Sequence, residues 1–222
     1  MISKLPKWVW SGAWGLAFIA GIVNVVGILS FEHQTISHLT GNTSQLATAL
    51  ANLDLAGILR FSATIGSFVA GAALSGFIVQ DSALQLGRRY GVALCIESLL
   101  LFVAGPLLNR HNVGGLYAAA CACGLQNAMA STYSGTVVRT THVSGMFTDL
   151  GIFLGHALRG LPVDSRRARL CFLVISGFLS GGIAGAIAFR FVGVSALFIP
   201  ATLTAIAAVV YFVYRRSDVS RV

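Results

Sequence analysis

The sequence SHLTG at residues 37–41 recurs in similar form as THVSG at residues 141–145. In both copies a strongly apolar stretch precedes the motif, and a short amphipathic stretch follows it. A helix of about fourteen residues, the length of that short stretch, reaches about 21 Å and cannot cross the roughly 30 Å core of a bilayer. Polar, glycine-containing breaks at matching points of two halves are typical of the binding site in a duplicated membrane transporter.

The composition indicates a polytopic helical membrane protein. Of the 222 residues, 56% are hydrophobic and 10% are charged, and the mean hydropathy is +0.81. A soluble domain carries about 25% charged residues. Apolar stretches of a length suited to crossing a bilayer recur along the chain, and the alternating segments of a membrane β-barrel are absent. We therefore predict an all-α membrane fold.

About six transmembrane helices and two short re-entrant or broken helices are predicted. The full spans cover residues 8–30, 57–80, 88–108, 113–136, 168–191 and 194–214. The short helices cover residues 41–53 and 144–158, directly behind the repeated motif. This arrangement leaves no room for a soluble domain. The prediction is one integral membrane domain, with a first repeat at residues 1–110 and a second at residues 111–222.

The duplication extends beyond the motif. GIVN at residues 21–24 matches GLQN at 124–127, FVAG at 68–71 matches FLSG at 178–181, and ALCI at 93–96 matches ALFI at 196–199. The matches occur in the same order and at nearly constant spacing. Three spans per half is an odd number, so the halves would insert in opposite orientations. We therefore expect an inverted 3+3 repeat whose two short helices begin close together near the midplane.

The basic residues favour the six-span topology with both termini in the cytoplasm. Of the fifteen lysines and arginines, this topology leaves only Arg60, Arg110 and Arg190 outside. An eight-span topology, in which the short helices cross fully, leaves four outside and satisfies the positive-inside rule slightly less well. The net charge of +8 thus marks cytoplasmic loops and does not indicate a nucleic-acid partner.

The cysteines do not indicate a metal or cofactor site. Cys95, Cys121, Cys123 and Cys171 all lie in apolar stretches. They lack the CxxC or Cys/His spacing of metal ligands, so we interpret them as small core residues and predict no metal and no cofactor.

The starts of the short helices form the predicted binding site. We expect Thr40 or Thr43 to cap the first short helix and Ser144 to cap the second, with Gly41 and Gly145 allowing tight turns. A helix start exposes up to four free N–H groups and about half a unit of positive charge. Two such starts favour a small anion or the oxygen-rich end of a neutral solute.

His38 and His142 lie just before the expected caps and allow two interpretations. They bind substrate or exchange protons as a symmetric pair, or each ring locks its own loop through hydrogen bonds. Asn42, which follows the first motif, is included in the predicted substrate-binding set. The second motif has no asparagine at the corresponding position.

Two amides occupy matching places in the first span of each half. Asn24 and Asn127 either hold helices together or line a solute path with Gln126, since amides inside spans usually face the protein interior. Both are retained as binding candidates.

Two acidic residues are candidates for a proton or ion site. Glu97 lies near the middle of its span, where a charge costs about 2.5–3.5 kcal/mol on insertion scales. It is expected to carry a proton, and its counterpart in the second half is Pro200. Asp149 is expected in the first turn of the second short helix, where the helix dipole stabilises it or where it binds a proton or cation.

The motifs resemble those of a known family. SHLTGN at residues 37–42, GLQNA at 124–128 and THVSG at 141–145 resemble the YoaK-like bacterial inner-membrane proteins. The resemblance implies a multi-span inner-membrane protein of unknown function and supplies no catalytic residues. Members often carry an aspartate where this chain has Asn24, which puts a charge-dependent role at that position in doubt.

The leading functional prediction is a transporter or channel for a small solute or ion, with its site between the two helix starts. It is not predicted to be an enzyme. An intramembrane enzyme using histidine and acidic residues is the main alternative, although no nucleophile, zinc or paired-carboxylate motif supports it. A non-transporting membrane partner is a third. The expected partners are the bilayer and the solute, and the sequence leaves homo-oligomers open.

Overall fold

The computed structural model describes residues 7–31, 33–79, 88–134 and 139–219, and within these ranges the ordered elements are all helices. A 3-10 turn, Gly193–Leu197, separates the last two α-helices. The α-helices, in chain order, are α1 Lys7–Leu29, α2 Leu39–Ala51, α3 Leu55–Ile78, α4 Arg88–Asn109, α5 Gly114–Ser134, α6 Val143–Leu158, α7 Ser165–Val192 and α8 Phe198–Val219.

These bounds confirm the predicted all-helical class. Within the described residues, four stretches are long and apolar enough to cross a membrane: Val9–Leu29, Leu55–Ile78, Arg89–Asn109 and Ser165–Val213. The fourth stretch contains all of α7, the 3-10 turn that follows it, and most of α8. Helix α5 has 21 residues but carries the polar pair Gln126 and Asn127. Several alanines and leucines of α5 are fully buried, which places this helix at the centre of the core.

Matching aspartates begin α3 and α7. The carboxylate of Asp54 accepts a hydrogen bond from the backbone nitrogen of Gly57 at 3.1 Å. The carboxylate of Asp164 accepts from the backbone nitrogens of Arg166 at 3.0 Å and Arg167 at 3.1 Å. Such caps satisfy N–H groups that the first helical turn leaves free. Both short helices are therefore followed by a tight turn and a capped long helix.

Two helix pairs cross at glycines, and each pair joins the first half of the chain to the second. Between α1 and α7, a Cβ added at Gly21 would overlap the backbone oxygen of Phe178, and one at Gly181 would overlap that of Phe18. The absent side chains let the two backbones touch, as small residues commonly do in membrane helix pairs.

The pair formed by α3 and α5 repeats this arrangement. A Cβ added at Gly124 would overlap the backbone oxygen of Phe68, and one at Gly71 would overlap that of Cys121. The first helix of each half thus packs against the third helical segment of the other half. The halves do not form separate cores.

The short helices lie at the edges of the bundle. Helix α2 packs on α3 and helix α6 packs on α7, and no Cα of α2 lies within 8 Å of a Cα of α6. The two short helices therefore do not pack directly on each other, and a site between their starts stays a prediction. Each start instead packs beside the long helix that follows it in the chain.

Candidate functional site

The connector between α1 and α2 folds back along α1. The backbone nitrogen and hydroxyl of Ser37 both donate to Oδ1 of Asn24, each at 3.1 Å. Ile36 lies against Gly27, where an added Cβ would collide with its side chain. Asn24 is five residues before the end of α1, which corresponds to about 7.5 Å along the helix. The first motif therefore begins inside the helix layer and not at its surface.

A buried, uncharged cluster surrounds the start of α2. Nε2 of Gln34 donates to Oδ1 of Asn42 at 3.2 Å and to Oγ1 of Thr64 at 3.4 Å. Nδ2 of Asn42 donates to the backbone oxygen of Thr35 at 3.1 Å. Asn42 and Thr64 are fully buried. Thr64 is the tenth of the 24 residues of α3, so α2 begins near the middle of α3.

The two motif histidines are the residues that precede each short helix. Helix α2 begins at Leu39 after His38, and α6 begins at Val143 after His142; neither histidine makes a side-chain cap hydrogen bond. The predicted caps at Thr40, Thr43 and Ser144 are therefore wrong, because both helices start before them. Inside α2, the hydroxyl of Thr43 donates to the backbone oxygen of Leu39 at 2.8 Å.

Each histidine ring packs on the glycine of its own motif. Nδ1 of His38 lies 2.7 Å from the place that a Gly41 Cβ would take, and the ring of His142 contacts the equivalent place at Gly145. The glycines are needed to admit the rings. Both histidines are exposed residues.

The second helix start is chemically different from the first. Met146, which corresponds to Asn42, packs in an apolar cluster with Ala13 and Ala17 of α1 and Leu170 of α7. The connector before α6 is tethered through Thr140, whose hydroxyl donates to Oε1 of Gln126 at 3.4 Å. The start of α2 is therefore surrounded by amide and hydroxyl groups, and the start of α6 by apolar side chains.

Asp149 lies in an ion pair. Its carboxylate accepts hydrogen bonds from Nη2 of Arg167 at 3.2 and 3.0 Å. Asp149 is the seventh residue of α6, and the first turn of that helix has no acidic residue, so its predicted first-turn position is wrong. The pair links α6 to α7.

The two matching asparagines have different surroundings. Asn24 is buried and anchors Ser37. Asn127 is half-buried, and its Oδ1 has no hydrogen-bond partner among the described residues. Gln126 makes the corresponding tether in the second half. The interpretation of Asn24 as a structural amide is therefore supported by its contacts.

Glu97 lies at the tenth of the 22 positions of α4 and is 2% exposed. Its carboxyl group is next to the side chains of Gln126 on α5 and Thr204 on α8. Oε2 of Glu97 and Nε2 of Gln126 have no hydrogen-bond partner among the described residues. The carboxyl group thus lies at the junction of three helices.

The predicted site residues form two groups, and two further residues, Glu97 and Asn127, lie apart from both. Around α2 lie Asn24, His38, Thr40, Gly41 and Asn42; around α6 lie His142, Ser144, Gly145 and Asp149; and Glu97 lies in the core beside the Gln126–Asn127 pair.

Sequence reasoning did not select several hydroxyl and amide residues that build these groups. Gln34, Thr35 and Thr64 complete the cluster at α2, and Thr140 and Thr204 complete the surroundings of Gln126 and Glu97. Threonine is common in apolar helices, so residue type alone gives no signal. The position of Gln34 between a span and a motif is the one available clue.

The comparisons with known proteins define a family but no activity. The family model described as "Protein of unknown function (DUF1275)" matches residues 12–210. No curated protein and no solved structure matches the chain. The matched region extends from α1 into α8 and includes both motifs and every predicted site residue. The chain is therefore a member of the DUF1275 family, an uncharacterised family that here has several helices apolar enough to cross a membrane.

Proposed function

We propose that this protein is an inverted 3+3 repeat in which α1 to α4 correspond to α5 to α8. Three pairs of features support this proposal: the repeated motifs, the aspartate caps of α3 and α7, and the glycine crossings of α1 with α7 and of α3 with α5. Every pair occurs at matching positions of the two halves. The repeats would comprise residues 1–110 and 111–222.

The same correspondence supports a six-span topology. Helices α1, α3, α4, α5, α7 and α8 would cross the bilayer, and α2 and α6 would be re-entrant. The fold-back of Ser37 onto Asn24 and the start of α2 near the middle of α3 favour re-entry over full crossing. We place the protein in the bacterial inner membrane, with both termini cytoplasmic by the positive-inside rule.

In this membrane the protein would act as a transporter or channel for a small solute. The observation that carries this proposal is the start of α2, where broken backbone enters the helix layer beside a buried, uncharged hydrogen-bonding cluster. Broken helices within the membrane are tolerated where they line a cavity or contact protein. Such helix ends bind substrate in transporters built from inverted repeats.

The solute would contact the helix starts through their polar groups. On the first side these are His38, Thr40, Gly41 and Asn42, with Asn24 behind them. On the second side they are His142, Ser144 and Gly145, and Asn127 of α5 is retained as a further candidate. In this proposal the solute binds between the two starts, since no Cα of α2 lies within 8 Å of a Cα of α6. Free N–H groups at both starts favour an anion or a polar oxygen-rich group.

A ligand screen tests the proposal. The purified full chain would be screened by thermal shift against small anions and neutral polar solutes, followed by uptake of any hit into liposomes. We expect a hit to stabilise the wild type and to enter liposomes that contain it. The double variant His38→Ala/His142→Ala should lose both effects while it remains folded.

His156→Ala is the matched control, because His156 is an exposed histidine on α6 outside the motif. If a hit binds the double variant as tightly as it binds the control, the binding site is not at the helix starts. If well-folded wild type binds no solute in the screen and none enters liposomes, the transport proposal fails in favour of a lipid-modifying enzyme or a partner-binding protein.

A further inference from the structure

We propose that Glu97 binds and releases a proton, and that Gln126 and Thr140 transmit this change to the connector that leads into α6. The proposal concerns proton binding and loop position, and it goes beyond transport.

The surroundings of Glu97 contain no countercharge. It is 2% exposed, and no ion pair among the described residues includes it. Helix α5 presents Cys123, which is buried nearby, and α8 presents Thr204. The 3-10 turn Gly193–Leu197 has no titratable side chain.

Among the described side chains, the other titratable residues on helices that pack on α4 are Tyr117 and Cys121 of α5, Tyr211 of α8 and Arg60 of α3. Tyr211 of α8 lies two turns beyond Thr204. On α3, Arg60 is near the first turns, whereas the opposite end of α3 at Ile78 packs with Leu94 of α4. An acidic group without a cation in such surroundings exchanges a proton more readily than it holds a permanent charge.

The side chain of Gln126 can respond to that proton. It is 1% exposed, its Oε1 accepts from Thr140 at the long distance of 3.4 Å, and its Nε2 has no partner among the described residues. An ionised carboxylate only accepts hydrogen bonds, so it attracts Nε2 and leaves Oε1 to Thr140. A protonated carboxyl group also donates, so it competes with Thr140 for Oε1.

Thr140 connects this exchange to the second motif. It is fully buried and lies two residues before His142, after which α6 begins. Loss of its hydrogen bond to Gln126 would release the connector from α5. The proton enters from water and returns to it, and no covalent bond other than the O–H bond of the carboxyl group changes.

The first half provides an internal comparison. Its connector is tethered by Ser37 to Asn24, and the counterpart of Glu97 is Pro200. The proposed switch therefore acts on the second connector and leaves the first unchanged.

Infrared difference spectroscopy on the reconstituted full chain tests proton binding. The carbonyl stretch of a buried carboxylic acid should appear and disappear as the pH is changed for the wild type. It should be absent in Glu97→Gln and present in the control Asp149→Asn. A band that persists in Glu97→Gln, or a wild type without a titrating band, would overturn the proposal. If Glu97→Gln does not fold, Glu97→Asp must shift the band, since only an acid at this position can produce it.

Thiol labelling tests transmission. Ser144→Cys and Thr40→Cys place one thiol at the exposed fourth position of each motif, in a background where Cys95 and Cys121 are replaced by alanine. The labelling rate at position 144 relative to that at position 40 should change by about threefold or more across the titration, as expected for a shift between two populated connector positions.

Gln126→Leu separates the two steps. The infrared band should still titrate in this variant, whereas the ratio of labelling rates should no longer depend on pH. If the ratio is independent of pH in the wild type, or still depends on pH in Gln126→Leu, then Gln126 and Thr140 do not transmit the proton. These measurements need no solute, so their failure is distinguishable from failure of the transport proposal.

Discussion

The hydroxyl of Ser98 on α4 donates to the backbone oxygen of Ala201 on α8 at 2.8 Å. The two residues occupy corresponding positions when ALCI at 93–96 is aligned with ALFI at 196–199. Corresponding residues contact each other directly only near the axis that relates two copies. The crossing of α4 and α8 therefore marks the centre of the proposed repeat, and the contact of Glu97 with Thr204 lies beside it.

The glycine crossings should resist enlargement equally in both halves. Gly21→Ala and Gly124→Ala each place a methyl group on a backbone oxygen, so each should lower stability by about 1–3 kcal/mol, as overpacked cores do. Thermal unfolding in detergent measures the change. Gly66→Ala and Gly76→Ala are the controls, because a Cβ at either glycine meets nothing within 4 Å. A loss at Gly66 as large as that at Gly21 would contradict the crossing geometry.

The tether at Asn24 should contribute more to stability than Asn127. Asn24→Ala removes the acceptor for both the backbone nitrogen and the hydroxyl of Ser37, and an unsatisfied buried donor costs about 1–3 kcal/mol. Asn127→Ala removes an Oδ1 that has no hydrogen-bond partner among the described residues and should cost less. Unfolding midpoints of the two variants provide the comparison, and equal losses would show that the amides have equivalent roles.

The chemical difference between the two helix starts predicts that Asn42 tolerates substitution by an apolar residue less well than Met146 does. Asn42→Met removes the acceptor for Gln34 and the donor to Thr35, which leaves buried polar groups unpaired and should destabilise the protein. Met146→Leu keeps volume and polarity and should cost less than about 1.5 kcal/mol. Limited proteolysis at the connectors, together with thermal unfolding, would detect the difference. If Asn42→Met is as stable as the wild type, the cluster is not needed to hold α2 in place.

The ion pair of Asp149 with Arg167 should contribute little to stability, because the side chains are 26% and 51% exposed. Asp149→Asn should change the free energy of unfolding by about 1 kcal/mol or less and reduce its dependence on salt. The charge-reversed double variant Asp149→Arg/Arg167→Asp should recover part of the loss. If Asp149→Asn instead abolishes solute binding at unchanged stability, Asp149 belongs to the site.

Helix positions were predictable from sequence because they depend on hydrophobic length. The observed bounds of α1 and α4 differ by about one residue from those expected, which is within the usual uncertainty of helix ends. The short helices were also expected in the right places. Their first residues were not, because a threonine after the histidine looks like a cap, whereas the backbone becomes helical directly after His38 and His142.

The contacts between distant segments were less predictable. Nothing local to Thr64 indicates that it meets Gln34, and nothing local to Gly71 indicates that it lies on Cys121. Such contacts depend on how the helices pack, which residue type does not encode. The motif likewise predicts where a helix begins, but not which helix it packs against: α2 packs on α3 and α6 on α7.

The exchange of partners between the halves has a consequence for biosynthesis. Helix α1 leaves the ribosome long before α7, the helix against which its glycines pack. Until α7 has been made, Gly21 faces lipid or a chaperone, and the face of α1 that packs on α7 is uncovered. Each half made alone would lack the partner of its first helix, whereas two separately synthesised halves could assemble. Packing of α1 on α7 and of α3 on α5 thus makes each half depend on the other for a complete core.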